Sequence, residues 1–289
     1  MSASRAGRAA LLIPRSLAAR LMRLYDYPDP THHRKLIRGY DRPHAIRTAL
    51  MCAAVATELG HDAARVRQYQ IACLLHDLGR AGLDRRLFGK IWSWAKAHGI
   101  PTRPREWRAI HPRTAYGRET EAFIERYGKD LEADGIAMTP WAEEQIEMRL
   151  GYARRLARRL RAVQESIRKM GVKWESWMQL VMLYYYYPEK LAKAERWVKQ
   201  LAEVLVACEQ FEAYSNQRRG RDYYVRNEET IIEAFSYLDK LEREGMLSRE
   251  VMKALTHLAA AGDFDHIIQQ ARGHRLTQKE RTLLRRLER

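Results

Sequence analysis

The sequence predicts an all-α fold on three observations. Apolar residues recur at helical spacing along nearly the whole chain. No stretch alternates apolar and polar residues as a half-buried strand would. Helix start and stop residues punctuate the pattern: Asp41-Arg42-Pro43, Gly60, Asp62, and Thr277 with Glu280.

Taken in order, residues 1–24 are Arg-rich and hold no acid, as in a transit peptide. They lack the apolar core of a secretory signal, and Pro14 interrupts any long amphipathic helix, so we expect a basic leader feeding a first helix from Ser16 to Tyr25. Tyr27 to Thr31 is a break. Asp41 is expected to cap the next helix, with Pro43 in its first turn. Ile46, Ala49, Leu50, Ala53 and Thr57 mark its buried face, and Gly60 ends it. Asp62 caps the following helix, with Val66, Tyr69, Ala72, Cys73 and Leu75 as its stripe. A tight turn between these helices brings the start of one to the end of the other, and so His44 to His76.

Residues 84–104 are less regular, with several Gly and Pro. Met138 to Met170 reads as one long basic helix or a pair broken at Gly151, its Arg block (Arg154, Arg155, Arg158, Arg159, Arg161) read as a solvated face in preference to a dedicated anion site. Trp174, Trp177, Met178, Val181 and Met182 have the spacing of a core stripe. Leu201 to Tyr214, Asn227 to Glu244 and Ser248 to Ala260 are further helices, and a capping box opens a last basic one.

The 289 residues carry a net charge of +16, with pI near 9.9. Such an excess favours anionic partners, though dispersed basicity also serves solubility. Cys52, Cys73 and Cys208 sit in apolar helical contexts, which suits a reducing, cytoplasmic setting. No run approaches the length of a membrane span.

The stretch Ile71-Ala72-Cys73-Leu74-Leu75-His76-Asp77-Leu78-Gly79-Arg80 carries the chemistry. Adjacent His and Asp at the end of a buried helix can hold one ion, and a nitrogen-plus-oxygen set suits Fe, Mn, Zn or Ni more than Ca. Gly79 is expected at positive φ just past the helix, and Arg80 is placed to hold a phosphate. With His44 upstream, the pattern resembles the HD-domain phosphohydrolases. It looks most like their HD-GYP branch, the bacterial cyclic-di-GMP phosphodiesterases, whose motif reads LLHDIGK. His111-Pro112 with Gly117 matches a further ligand motif of that branch, and Cys208-Glu209-Gln210-Phe211-Glu212 resembles a later one in which Glu replaces two Asp. Of the HHExxDGxGYP motif only Tyr187-Pro188 remains, and no His occurs between His111 and His257.

The resemblance implies an HD-domain helical bundle over residues 31–245. A leader and first helix (1–30) would precede it, a basic insertion near 130–172 would interrupt it, and a helical extension (246–289) would follow. It implies His44, His76, Asp77 and Glu209 as ligands of one divalent ion, Fe or Mn foremost, with Mg, Ni and Zn as alternatives. His111 would reach a second ion or the leaving group. Asp77, Arg80 and His111 are the catalytic set it implies, and Arg80, Tyr187 and Arg221 the substrate contacts. The expected activity is hydrolysis of a nucleotide or cyclic dinucleotide phosphoester. Two other readings stand beside it: a degenerate HD-GYP-like module that binds a nucleotide or a signalling partner, and a helical protein that binds nucleic acid through its basic surface. Self-association into a homodimer is a further expectation.

Overall fold

Pro14 leads into α1 (Arg15–Arg23) in the computed structural model of the chain, which describes residues 9–30, 35–215 and 231–288. The all-α expectation holds: 14 α-helices stand among the described residues, and the structure is about 69% helix there. One element had no signal in the sequence, a two-residue antiparallel ribbon pairing Tyr27 with Ile37 and Pro28 with Leu36.

The hairpin of α2 (Arg42–Glu58) and α3 (Ala63–Leu74) turns at Gly60, whose φ of +82° is the left-handed conformation glycine tolerates. Asp62 caps α3, its carboxylate accepting from the Arg65 N–H at 2.9 Å. Asp41 precedes α2, but its side chain makes no cap bond. The buried face of α2 is also wider than its apolar spacing suggests. Ile46 and Leu50 are only half-buried, whereas Arg47, Thr48, Cys52 and Val55 are buried. The cause is packing on more than one side: α3, α10 (Arg196–Ser215) and α12 (Arg249–Ala261) all lie against this helix. A helix covered all round loses the stripe that marks a surface helix.

A second apolar cluster forms beside this core from α4 (Arg85–Ala97), α5 (Pro104–Ile110), α6 (Glu119–Ala133) and α7 (Pro140–Leu150), around Phe88, Trp92, Trp107, Phe123 and Ile146. Gly151 separates α7 from α8 (Tyr152–Lys169), the second of the two arrangements expected for this stretch. The boundary of the side cluster therefore falls at residue 150. In α8, inside the stretch expected as an insertion, Tyr152, Leu156, Leu160 and Ile167 belong to the main core. Its Arg block is not uniformly solvated either: Arg155 is 1% exposed, against 48% for the side chain of Arg158.

Trp177, Met178, Val181 and Met182 on α9 (Ser176–Leu183) are buried core, as the spacing predicted. After α10 come α11 (Ile231–Arg243), α12, α13 (Asp265–Arg272) and α14 (Gln278–Leu287). Val251, Leu255, Phe264, Ile267 and Leu284 of this region pack into the main core. The capping box forms: Thr277 N–H donates to Glu280 Oε2 at 2.7 Å, and Glu280 N–H to Thr277 Oγ1 at 3.3 Å. No helix among the described residues is long and apolar enough to cross a membrane.

Candidate metal centre

The first turn of α2 meets the turn that follows α3. Helix α3 stops at Leu74, so His76 and Asp77 lie in the link to a short 3-10 turn, Leu78–Arg80. His44, His76 and Asp77 are 3%, 3% and 2% exposed. Their ligand-type atoms lie within 4.8 Å of one another, so the cluster could hold a metal ion. His44 Nε2 is 3.6 Å from Asp77 Oδ2, and His76 Nε2 is 3.8 Å from the same oxygen. Ligand atoms bound at about 2.1 Å can stand up to about 4.2 Å apart, so both spacings admit a shared ion.

The other nitrogen of each imidazole is already held. His44 Nδ1 meets Glu212 Oε2, and His76 Nδ1 donates to the Cys73 carbonyl at 2.7 Å. Carboxylate and carbonyl both accept, so each ring carries its proton on Nδ1 and turns a lone pair outward at Nε2. Neither Nε2 has a hydrogen-bond partner among the described residues. Burial penalises the charged form of His76, but the charges of Asp77 and Glu209 outweigh it and hold its pKa above the ordinary value.

Three supports surround this corner. Arg47 grips Glu212 Oε1 at 2.6 Å, fixing the carboxylate that orients His44. Tyr152 of α8 donates its hydroxyl to the His76 carbonyl. Arg155 donates to the Gly79 carbonyl at 2.8 Å, the Ala81 carbonyl at 2.9 Å and Glu144 at 2.8 Å. Gly79 is not among the positive-φ glycines. Its reason is space: a Cβ there would stand 2.7 Å from Tyr152 Cε2.

Arg80 lies at the edge of the corner, Nη1 at 3.5 Å from Asp77 and Nε at 4.0 Å from Asp41. Asp41 is thus a buried acid beside Arg80 rather than a side-chain cap. Glu209 stands near enough for its charge to raise the pKa of His76 and Tyr186, yet it is not in the clustered group. Helix α10 presents Glu212 to His44 instead, one turn further on. His111 also lies outside the group, at the end of α5 with its ring centroid 4.3 Å from that of Trp107, where burial and the Arg126 charge lower its pKa. Tyr187 is buried against Tyr116, with ring centroids 5.0 Å apart, and under Arg108. Arg221 lies outside the described residues.

Glu212, Arg47, Tyr152 and Arg155 escaped the sequence reading as parts of the site. Only Glu212 had a signal, as the second Glu of the motif that singled out Glu209. No family model, curated protein or solved structure matches the chain.

Proposed function

We propose that the chain is a metal-dependent phosphohydrolase of the HD type, acting on the phosphoester of a nucleotide or cyclic dinucleotide. One observation carries the reading: two buried imidazoles, each fixed at Nδ1, turn their Nε2 lone pairs toward one buried carboxylate. Two nitrogens and one oxygen suit Fe or Mn, with positions left for water and substrate. When bound, such an ion makes water a nucleophile at neutral pH and offsets phosphoryl charge.

The chain's own groups do the rest. His44, His76 and Asp77 are the ligands, and Glu212 with Arg47 keeps His44 in its tautomer. The Arg80 guanidinium reaches the edge of the corner, where a planar fork can grip two phosphate oxygens. Buried free thiols at Cys52, Cys73 and Cys208 fit a reducing compartment such as the cytoplasm.

A second reading, a metal-holding module that binds its ligand without turnover, is favoured by the missing paired histidines. Elemental analysis after chelator-free purification tests the first premise: about one Fe or Mn per chain is expected, lost in Asp77→Ala and His76→Ala. Hydrolysis of bis(p-nitrophenyl) phosphate, abolished in Asp77→Ala, would establish catalysis. Bound metal without turnover, alongside tight cyclic-dinucleotide binding, would select the module. Unchanged metal content in both variants sinks the site.

A further inference from the structure

A cavity of about 260 Å³ opens between α5, the segment after α9 and α11. Three cations, Arg103, Arg105 and Lys240, and three phenol rings, Tyr185, Tyr186 and Tyr237, form its working walls. Arg103 is held in place. Its Nη1 donates to the Tyr237 hydroxyl at 2.8 Å, and its guanidinium carbon is 5.4 and 5.6 Å from the ring centroids of Tyr185 and Tyr237. The Tyr185 and Tyr237 hydroxyls meet at 2.6 Å, and Tyr237 stacks on Tyr214 with centroids 5.0 Å apart. These rings are therefore braced from behind.

Glu106 and Glu244 also line the space, but their ion pairs with the cations span 3.4 to 3.8 Å. Three cations against two acids leave one positive charge over. The volume exceeds the roughly 150 Å³ in which an engineered apolar cavity takes benzene. Phenol faces suit a planar ring, and a guanidinium with an ammonium suits an acidic group attached to it.

We propose that this cavity binds a small aromatic anion: a planar ring, mono- or bicyclic, bearing one phosphate or carboxylate. It is separate from the metal corner. Tyr186 forms its inner wall and stacks on Tyr152 with centroids 4.6 Å apart, and Tyr152 in turn holds the His76 carbonyl. The two sites stand back to back, and none of the clustered ligands lines the cavity.

Calorimetric titration of the full chain, stripped of metal and kept in EDTA, tests the proposal apart from the phosphohydrolase reading. One arm uses adenosine monophosphate and another 2-naphthoate, with adenosine and inorganic phosphate as controls. We expect one aromatic anion to bind with a dissociation constant on the order of 100 μM or below. Binding should weaken about tenfold or more in Arg103→Gln and Lys240→Ala and stay unchanged in Asp77→Ala. Preference for the monophosphate identifies a phosphoester ligand, and preference for naphthoate a carboxylate. Lys240 is 60% exposed at its side chain, so its variant keeps the test valid if Arg103→Gln fails to fold. Three results overturn the proposal: no binding by either anion, adenosine bound as tightly as the preferred anion, or binding that the cavity variants leave unchanged. A chain that binds no metal but passes this titration refutes the phosphohydrolase reading alone.

Discussion

The turn from Leu75 to Ala81 has a buried polar cluster on either side, and the two are built on opposite terms. On the α8 side, all three guanidinium nitrogens of Arg155 donate to an acceptor, two of them backbone carbonyls. On the α2 side, His44 and His76 are each bonded at one nitrogen, with the other bare among the described residues. A buried group without a partner costs about 1–3 kcal/mol. One cluster is thus complete within the chain and fixes a backbone, while the other is complete only with something added. The contrast teaches that a corner able to take a ligand shows itself in buried groups that lack their last bond, not in an excess of charge.

Five predictions break or sharpen that contrast. The largest effect belongs to the incomplete cluster: Asp77→Ala should abolish metal binding, read as metal per chain, with the helical signal in circular dichroism retained. If the ion persists, the two clusters do not differ in the way argued. Next comes the complete cluster. Arg155→Met strands two buried carbonyls and should lower stability by about 3 kcal/mol in denaturant unfolding. A loss near zero would mean that α8 merely rests on the turn.

Gly79→Ala probes the space between the clusters. The new methyl meets the Tyr152 ring, and we expect a loss of about 2 kcal/mol by the same measurement. Replacing Tyr152 with Leu in the same chain should make that substitution nearly neutral. Glu212→Gln should leave the fold intact but weaken metal affinity about tenfold, since an amide holds the His44 tautomer less firmly than a carboxylate. Isothermal titration with Mn checks it, and an unchanged affinity would remove Glu212 from the site.

The smallest effect is a control far from the turn. Burial raises the pKa of Glu280, but the Thr277 N–H and Arg272 outweigh it and hold the carboxyl below its ordinary value. A depressed carboxylate stabilises the fold above its unfolded pKa, and that contribution is lost as pH falls through the folded one. Glu280→Gln should therefore flatten the acid side of the stability profile by about 0.5 kcal/mol without touching metal affinity.

Much of the architecture was legible because helix signals are local. Gly60, Asp62, Gly151 and Thr277 stand where the breaks and caps occur, and each acts within a turn of its own position. The meeting of His44 with His76 was legible too, because a short link forces the ends of two sequential helices together. What escaped depends on rotation and long-range contact. Glu209 and Glu212 are nearly equivalent on paper, and only the roll of α10 against α2 decides which one faces His44. Tyr152 and Arg155 sit in a block of cations that reads as solvated, and nothing local shows that α8 lies across a turn more than seventy residues earlier. The buried face of α2 was misjudged for a related reason: spacing reports one neighbour, and among the described residues this helix has at least three.

The dependence of the turn on α8 has a practical consequence. A minimal transplant of the His–Asp motif, cut to α2, α3 and the link that follows, would leave behind the phenol and guanidinium that hold its main chain in shape. Anyone grafting this corner onto another scaffold must carry the third helix along. Conversely, a molecule that pries that helix away would strip the turn of the bonds that hold the His76, Gly79 and Ala81 carbonyls.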